Sequence, residues 1–567
     1  MMATIFNGAS DPVDRYPVGV ARRLEYPDFP AWALMERAAC LEPGRLACVY
    51  HDVEWTWEEL NLDAVRCAAA LRRLGIRPGD RVGILLPNIP EYLIALNGIW
   101  RAGAIAVALS PMAVQEEVDR LLASTECRLV ICLDMLSELI SGPHRPDKAL
   151  FVSLRPRLPL FEQLGYLVLR KRRTGHWWLA ASEHVGWFWD ELAINTDSTE
   201  ISREAASERR HDWSKTPAYI LPTGGTTGEP KAVTLSHRNM VANAWQQYHW
   251  AGATTGQETL LALLPFFHSY GLSTNVLGGA AMAATLIMDH RFNPRKTLQL
   301  IETHRPTVFH TVPAMLVALN EQLRNRTVDL SSLKWIISGG ASLPEAVGQE
   351  FAKHSKAIVV EGYGLSECSP VTHVGPLDGT APAGCIGLPL PDTDCRIVDS
   401  ETGERDVSFG DVGELLVRGP QVMLGYWDSV REKLVDGEVT DTDPNRWLPT
   451  GDLARQTPEG YFKIVERKKD LIITSGFNVY PQEVESVLKR HPAVKDAAVV
   501  GVPDEHRGEL VKAFVVLNAG FEWDESALSE HCKAHLSAHK RPRSFEHCDD
   551  LPRSFLGKVI RRKLKES

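Results

Sequence analysis

The sequence predicts an α/β protein with a large N-terminal domain of several subdomains and mostly parallel sheets, followed by a small α+β domain. The chain has 567 residues, which is more than one compact domain usually holds. Short Val/Ile/Leu runs alternate with helical patterns through most of it, which is typical of parallel strands that helices cover on both faces. Near residue 467 this alternation stops and a different set of elements begins.

The alternation has two parts. The first predicts helices over 59–74, 90–101 and 114–124, and strands over 81–86, 104–109 and 129–133. The second predicts strands over 218–221, 259–264, 284–288, 307–310, 334–338 and 357–360. After residue 470 the pattern predicts helices over 481–490 and 525–536 and strands over 497–502 and 511–517, with a basic tail.

One uncharged stretch, 259–288, has the length of a membrane span. It contains Pro265, Asn275 and the pair Gly278-Gly279, and its apolar runs are short. A buried strand, a loop and a buried helix therefore fit the stretch better than a span does. Any membrane contact is expected to be peripheral.

Residues 140–215 are basic and rich in tryptophan. Six cations (Arg155, Arg157, Arg170, Lys171, Arg172 and Arg173) precede Trp177, Trp178, Trp187 and Trp189. One interpretation is an anionic interface such as a lipid surface, which suits cations beside amphipathic rings. The other, which we favour, is a variable insertion packed on the main domain with its cations solvated.

Composition excludes several classes of protein. With 44% apolar and 24% charged residues, the chain is not a disordered tail protein, a collagen-like fibre or a polytopic membrane protein. A net charge of −10 argues against a general nucleic-acid binder. The ten cysteines include no C-x-x-C pair, and the first residues lack a secretory signal pattern, so we expect a reduced, cytoplasmic protein.

A Gly/Thr-rich segment after the strand 218–221 is the most informative motif. Glycines let backbone N–H groups approach an anion closely, threonines add hydroxyl donors and lysine adds a positive charge. It is not a Walker loop, because its lysine lies three residues beyond the last glycine and alanine follows. The candidate phosphate cradle comprises Thr223, Gly224, Gly225, Thr226, Thr227, Gly228 and Lys231.

With Pro230-Lys231 closing this loop, the chain resembles the adenylate-forming superfamily of acyl-CoA synthetases, luciferases and peptide-synthetase adenylation domains. The runs 419–427 and 466–485 look most like bacterial long-chain fatty acyl-CoA ligases. The resemblance covers about residues 25–567, with the main motifs in order. It departs from the commonest loop at Pro222, Gly224 and Ala232.

The resemblance implies roles for residues that follow predicted strands. His268, in the motif 264–271, would lie beside the acyl pocket, and Gly339, Gly340 and Ala341 would line the adenine. The segment 361–367 would stack Tyr363 on the adenine, place Ser366 at the phosphates and bind Mg²⁺ through Glu367. Its other candidate nucleotide-binding residues are Glu361, Gly362 and Gly364.

The last motifs imply a rotating small domain. Asp452 would accept hydrogen bonds from the ribose hydroxyls, and Arg467 would also reach the nucleotide. Lys469 would lie in a hinge, 467–470, between an ATP- and acyl-binding domain (1–466) and a mobile domain (471–567). Gly476 would line the thiol tunnel, and Lys558 would be the catalytic cation.

These motifs imply an ATP-dependent ligase that activates a medium- to long-chain fatty acid as acyl-AMP and transfers it to coenzyme A. ATP, Mg²⁺ and coenzyme A would be the cofactors and co-substrates. Three alternatives stay open: a fatty acyl-AMP ligase that loads a carrier protein, a ligase for aryl or other acids, and a scaffold without activity. The sequence gives neither the acyl chain length nor the oligomeric state, so monomer and dimer both stay open.

Overall fold

The computed structural model describes residues 16–158, 160–177, 179, 181–182, 184–194, 212–223, 231–428, 430, 446–475, 477–504, 506–553, 557 and 559–565. Its strands form two large, mostly parallel sheets and two smaller sheets. The predicted α/β class, with a large N-terminal part and a smaller C-terminal domain, is confirmed.

The first large sheet has eight strands. Five parallel strands form one edge of it, and apolar runs predicted three of them, over 81–86, 104–109 and 129–133, but not Lys148–Val152 or Val185–Trp187. All but the last strand of that edge are largely buried. In spatial order the strands are Gly425–Tyr426, Lys231–Ser236, Pro217–Thr223, Ile105–Ala108, Arg81–Leu85, Leu129–Leu133, Lys148–Val152 and Val185–Trp187. Pairing is antiparallel only where the first three strands meet.

The second large sheet has nine strands and supports most of the candidate site. Six consecutive strands are parallel, and both ends of the sheet are antiparallel. The spatial order is Leu388–Pro389, Val371–Val374, Ile358–Gly364, Trp335–Ser338, Val308–Thr311, Thr259–Ala262, Thr285–Met288, Leu46–Tyr50 and Val53–Thr56.

The two smaller sheets follow along the chain. A four-stranded antiparallel sheet, which the sequence pattern did not predict, orders Asp394–Val398, Gly413–Arg418, Leu448–Gln456 and Phe462–Arg467. The C-terminal sheet orders Phe477–Val479, Ile472–Thr474, Gly508–Leu517 and Val494–Asp504, with Ser544–His547 beside Gly508–Leu517. The C-terminal sheet has apolar clusters of its own, which are built only from residues after Leu471.

Helices cover the sheets. In the N-terminal part they are Ala33–Leu41, Trp57–Arg73, Pro90–Arg101, Gln115–Thr125, Leu160–Thr174, Phe188–Ala193, His237–Trp250, Pro294–His304, Pro313–Leu323 and Glu345–Ser355. The C-terminal domain has Pro481–Leu488, Glu525–His535 and Arg561–Lys565. Short 3₁₀ turns occupy Asp134–Ile140, Arg155–Arg157, Ser366–Cys368 and Lys468–Asp470.

Local sequence explains where these helices begin. Thr56 accepts a hydrogen bond from the Glu59 backbone N–H, and the Glu59 carboxylate accepts one from the Thr56 N–H, so the helix begins at Trp57. Ser236 and Asn239 form the same reciprocal cap before His237–Trp250. That cap fixes the start of a helix whose far end reaches the candidate site.

The uncharged stretch 259–288 is buried, as predicted, and does not form one long helix. It runs from the strand Thr259–Ala262 through the helical pieces Ser269–Gly271, Leu272–Leu277 and Gly278–Met282 to the strand Thr285–Met288. Leu272–Leu277 has π-helical geometry. Among the described residues, no helix has both the length and the apolar character needed to cross a bilayer. All ten cysteines are free thiols.

Candidate active site

A cavity of about 840 Å³ lies against one face of the nine-stranded sheet. Val308 and His310 from one strand, and Trp335 and Ile337 from the next, line it. Alternate residues of a strand share a face, so the cavity extends along the strands. Helical residues, among them Gln247, Trp250, Thr274 and Met282, also line it.

The polar end of the cavity lies at the carboxyl ends of the parallel strands. Lys231 lines it, with its Nζ 4.7 Å from the centre of the Tyr426 ring. Tyr426 donates a hydrogen bond to Glu367 Oε1 at 3.3 Å, and the Ser269 and Ser366 hydroxyls are 3.0 Å apart. A cation, a carboxylate and two hydroxyls therefore converge at one end of an otherwise largely apolar space.

A second polar group joins the four-stranded sheet to this end. Tyr363 donates to Asp452 Oδ2 at 2.6 Å, and Arg467 Nε pairs with Asp452 Oδ1 at 2.7 Å. Asp452 is buried, whereas Tyr363 and Arg467 line the cavity. Both carboxylate oxygens are thus already oriented by neighbours, each with lone pairs left for further donors.

The segment 467–470 contributes Lys468 and Lys469 to the same wall. Lys468 Nζ contacts buried Glu414 Oε2 at 2.7 Å, and Glu414 Oε1 accepts from the Gly451 backbone N–H at 3.3 Å. Burial lowers the pKa of Lys469 below its ordinary value. Glu414 therefore links the segment 449–451 to the start of the C-terminal domain.

Two glycines are required by close approach. A Cβ on Gly339 would lie 2.9 Å from Tyr270 Cε1, and a Cβ on Gly364 would lie 2.0 Å from the Pro370 carbonyl oxygen. Gly340 has a φ of +78°, in the left-handed region that glycine tolerates. These glycines bring backbone groups to the cavity wall without side chains.

Glu361 does not line the cavity. Its carboxylate is buried and accepts a hydrogen bond from the Leu343 backbone N–H at 3.1 Å, so it holds the loop after Trp335–Ser338. Burial raises its pKa to about 7. Ala341 belongs to the same loop and also lies off the wall.

Two histidines on the wall are neutral. Burial lowers the pKa of His268 to about 4 and that of His310 to about 3. His268 Nδ1 accepts from the Tyr270 backbone N–H at 3.2 Å, so the ring proton resides on Nε2. Neither imidazole supplies a positive charge to the polar end near neutral pH.

The structure brings most described candidates together. Those on the wall are Lys231, His268, Gly339, Gly340, Gly362, Tyr363, Gly364, Ser366, Glu367, Arg467 and Lys469. Asp452 reaches it through Tyr363 and Arg467. Of the loop, Thr223 pairs in register with Lys231. The candidates that lie outside the described residues are Gly224, Gly225, Thr226, Thr227, Gly228, Gly476 and Lys558.

Sequence reasoning missed four wall residues: His310, Glu414, Tyr426 and Lys468. His310 follows two apolar residues in a buried strand, and its polarity there was the available signal. Tyr426 lay in a run already noted for its resemblance, but its contact with Glu367 spans 59 positions. No neighbouring residues in the sequence indicate that Glu414 and Lys468 form an ion pair, because only the fold brings the two together.

Family models and relatives agree on the class of protein. The model of the AMP-binding enzyme matches residues 35–427, and that of the AMP-binding enzyme C-terminal domain matches 483–558. A long-chain-fatty-acid–CoA ligase of Bacillus subtilis (strain 168) is 35% identical over 558 residues, 97% of each chain. One from Salmonella typhimurium is 33% identical, covering 98% of this chain and 97% of its own.

Solved structures show the same architecture. ATP-bound MatB from Rhodopseudomonas palustris superposes with a TM-score of 0.80 at 28% identity, covering 95% of this chain and 99% of its own. O-succinylbenzoate coenzyme A synthetase from Bacillus subtilis, in complex with AMP, has a TM-score of 0.74 at 26% identity and covers 95% and 98%. The chain therefore belongs to the family of AMP-binding enzymes, as the motif order predicted.

Proposed function

We propose that the protein is an ATP-dependent acid–thiol ligase that converts a long-chain fatty acid to its acyl-AMP and then to its coenzyme A thioester. The observation that carries this proposal is one continuous cavity with a charged end and an apolar end. The names of the fatty-acid ligases at 33–35% identity support the choice of acid.

The apolar end suits an alkyl chain. Leu260, Val308 and Trp335 from the sheet and the helical residues Trp250 and Met282 line it. From Gly339 to Trp335 the sheet spans four residues, about 13 Å at the rise of a β-strand. An alkyl chain laid along this face would have its carboxylate at the carboxyl ends of the strands, beside His268 and the polar groups.

The polar end suits phosphate chemistry. Two anions, the carboxylate and the α-phosphate, must meet there, so catalysis requires positive charge and positioning. Lys231 contributes a cation and Ser366 a hydroxyl donor. Glu367 fits Mg²⁺, which proteins commonly hold through one or two carboxylates together with phosphate oxygens. When bound, this ion would screen the triphosphate charge.

The nucleoside would be oriented by groups already in position. Tyr363 lies on the wall, where its ring would stack on the adenine, and Gly339, Gly340 and Gly362 leave space for the base beside backbone groups. Asp452, held by Tyr363 and Arg467, would accept from the ribose hydroxyls. A vicinal diol offers two donors, which a carboxylate accepts well.

For the domains we propose the division 1–466, 467–470 and 471–567, with a rotation about the hinge between the two half-reactions. The separate sheet and clusters after Leu471 support this boundary. Lys558 is proposed as the cation that acts on the α-phosphate. The position of its neighbour Gly557 supports this role, because a Cβ on Gly557 would lie 2.9 Å from Ala314 Cβ. Ala314 is in the first turn of the helix Pro313–Leu323, which follows the strand that carries His310.

The first experiment is a panel of carboxylic acids of rising chain length, with ATP, Mg²⁺ and coenzyme A, in which the thioester and AMP are measured directly. We expect the highest kcat/KM with long-chain fatty acids. Higher values for benzoates or coumarates would refute the proposed acid. Acyl-AMP formation without any thioester would instead favour transfer to a carrier protein.

The second experiment separates chemistry from scaffold. ATP–pyrophosphate exchange driven by the fatty acid should fall at least a thousandfold in Lys558→Ala, as expected when a cation that stabilises the transition state is removed. Lys563→Ala, an exposed lysine of the same C-terminal segment, is the matched control and should exchange normally. No exchange by the wild type with any acid would refute an active ligase.

We also propose a cytoplasmic location with peripheral contact to membranes. Ten free thiols, nine of them buried or half-buried, are typical of proteins kept in a reducing compartment. Fractionation of cells should recover the protein from both cytosol and washed membranes, with salt releasing the bound fraction. Resistance to salt and release only by detergent would contradict peripheral contact.

A further inference from the structure

The helix Leu160–Thr174 turns three polar side chains, those of Tyr166, Arg170 and Thr174, inward. Arg170 pairs with Asp134 Oδ2 at 2.8 Å, and both side chains are almost fully buried. Tyr166 donates to the other oxygen of the same carboxylate, and Thr174 is buried one turn beyond Arg170. A polar anchor of this kind fixes which face of the helix points away from the protein.

The outward face is apolar. Large apolar side chains are exposed there to an extent that soluble surfaces rarely show: Leu160 83%, Phe161 75%, Leu164 69%, Val168 55% and Leu169 50%. At 100° per residue, the first four lie within an arc about 100° wide, which is the width of a helix face that normally packs on a core. The usual amphipathic arrangement is therefore inverted.

Positive charge surrounds the far end of this arc. Lys171 and Arg172 are exposed, and helical geometry places them about 20° and 120° from Leu160, at the arc itself and its margin. Arg173 is exposed beside them. Glu162, the only acid of the helix, lies about 150° from the centre of the arc.

We propose that this face, residues 160–173, docks on the surface of an anionic lipid bilayer. An apolar arc with cations at its margin is the pattern of a helix that lies in the headgroup region, with apolar side chains among acyl chains and cations at lipid phosphates. Charge argues against a second copy of the chain as the partner. If two copies of this helix paired, the basic end of each, 171–173, would lie on the apolar face of the other, and each helix has only one acid, Glu162, to offset that charge.

The tryptophans of the region contribute less than the sequence suggested. Trp187 is half-buried against Phe151, and Trp189 donates its ring N–H to Glu91 at 2.9 Å, so both belong to the packing of the domain. Of the two others, the structure describes Trp177, which is 49% exposed just after the helix. The favoured interpretation of a packed insertion therefore holds for its inner side, and the outer side carries the lipid-facing residues.

Co-sedimentation with vesicles tests the proposal without any substrate. Vesicles of phosphatidylcholine with one third phosphatidylglycerol should bind the wild-type protein, and vesicles of phosphatidylcholine alone should bind it much less. Phe161→Ser with Leu164→Ser should weaken binding to the anionic vesicles by about tenfold or more. Lys171→Gln with Arg172→Gln should weaken it similarly and reduce its dependence on salt.

Matched controls make the result specific. Phe409→Ser and Phe521→Ser remove half-exposed phenylalanines elsewhere, and Lys353→Gln with Lys563→Gln removes two other exposed cations. These variants should bind as the wild type does, and all variants should keep its unfolding midpoint. Absence of wild-type binding, or equal binding by patch and control variants, would overturn the proposal. A wild-type dimer that becomes a monomer in Phe161→Ser with Leu164→Ser would assign the face to a second copy instead.

Discussion

Removing the Arg561 guanidinium should destabilise the C-terminal domain strongly. This side chain, 13% exposed, contacts Glu485 at 2.9 Å, Asp470 at 3.1 Å and Glu466 at 3.3 Å. Glu466 is fully buried and also accepts from the Gln482 backbone N–H at 2.9 Å. Arg561 therefore joins the strand Phe462–Arg467, the turn Lys468–Asp470 and the helix Pro481–Leu488.

The magnitude follows from burial. Breaking a buried ion pair by removing one partner costs about 3–5 kcal/mol, because a charge is left unpaired. The side chains of Asp470 and Glu485 are 18% and 12% exposed, so water can solvate their unpaired charges in part. We expect Arg561→Met to cost about 3 kcal/mol, which is roughly a hundredfold in the opening equilibrium of the domain.

Amide hydrogen exchange in the strands Val494–Asp504 and Gly508–Leu517 measures that opening directly. Burial already raises the pKa of Glu466, and removal of Arg561 raises it further. An acid with a raised pKa contributes stability at low pH that is lost as pH increases through its folded pKa, so the effect should be smaller near pH 5 than near pH 8.

Two variants can refute this reasoning. Lys563→Met alters an exposed residue of the same short helix and should leave exchange unchanged. Glu466→Gln combined with Arg561→Met should recover part of the loss, because the unpaired buried charge is gone. Equal exchange in Arg561→Met and Lys563→Met, or no recovery in the double variant, would show that the ion pairs do not hold the domain.

Three further predictions concern the cavity wall and the loop that Glu361 holds behind it. Because burial raises the pKa of Glu361 to about 7, Glu361→Gln should gain stability relative to the wild type as pH rises from about 5 to 8, by up to about 3 kcal/mol; parallel unfolding midpoints across this range would contradict it. Gly339→Ala should displace Tyr270, cost about 1–3 kcal/mol and raise the KM for ATP, whereas Gly44→Ala, with nothing within 4 Å of the new Cβ, should do neither in the same unfolding and kinetic assays. His268→Gln should lower kcat/KM but leave the shape of its pH profile unchanged between about pH 6 and 8, because a pKa of about 4 keeps His268 neutral there; loss of an inflection in that range would refute it.

Buried strands and capped helices could be predicted from the sequence. The predicted strand 129–133 and helix 90–101 have the same bounds in the structure as Leu129–Leu133 and Pro90–Arg101. Apolar runs and an N-terminal proline are local signals of buried elements, so no tertiary information was needed. The helix predicted from residue 59 begins at Trp57, because the cap at Thr56 precedes the apolar periodicity.

Elements that are half exposed could not be predicted in the same way. Asp394–Val398 is only partly buried along most of its length and has no continuous apolar run. The pattern of apolar runs that predicts parallel strands therefore did not predict the four-stranded sheet to which it belongs. Likewise, the inward face of Leu160–Thr174 depends on Asp134, which lies 36 positions from Arg170. No local periodicity encodes such a long-range polar contact.

In the candidate site, the loops at strand ends could be predicted from the sequence, whereas pairs of residues that are distant in the sequence could not. Gly339, Tyr363 and Glu367 each follow an apolar run, and all three line the cavity. Glu414 and Lys468 lie 54 positions apart, and their contact depends on the antiparallel pairing of the four-stranded sheet. Motif order thus indicates the chemistry of the site, whereas the fold is needed to find the groups that orient it.

The position of the apolar end of the cavity along the sheet affects how substitutions would change the enzyme's preference among acids. Leu260, Val308 and Trp335 lie near the amino ends of their strands in the nine-stranded sheet, whereas the polar groups lie at the other ends. The side chains proposed to contact the alkyl chain are thus separated from those proposed to act on the phosphates. A single substitution that changes the side-chain volume at one of these three positions is therefore expected to change the length of the accepted alkyl chain without altering the groups at the carboxyl ends of the strands.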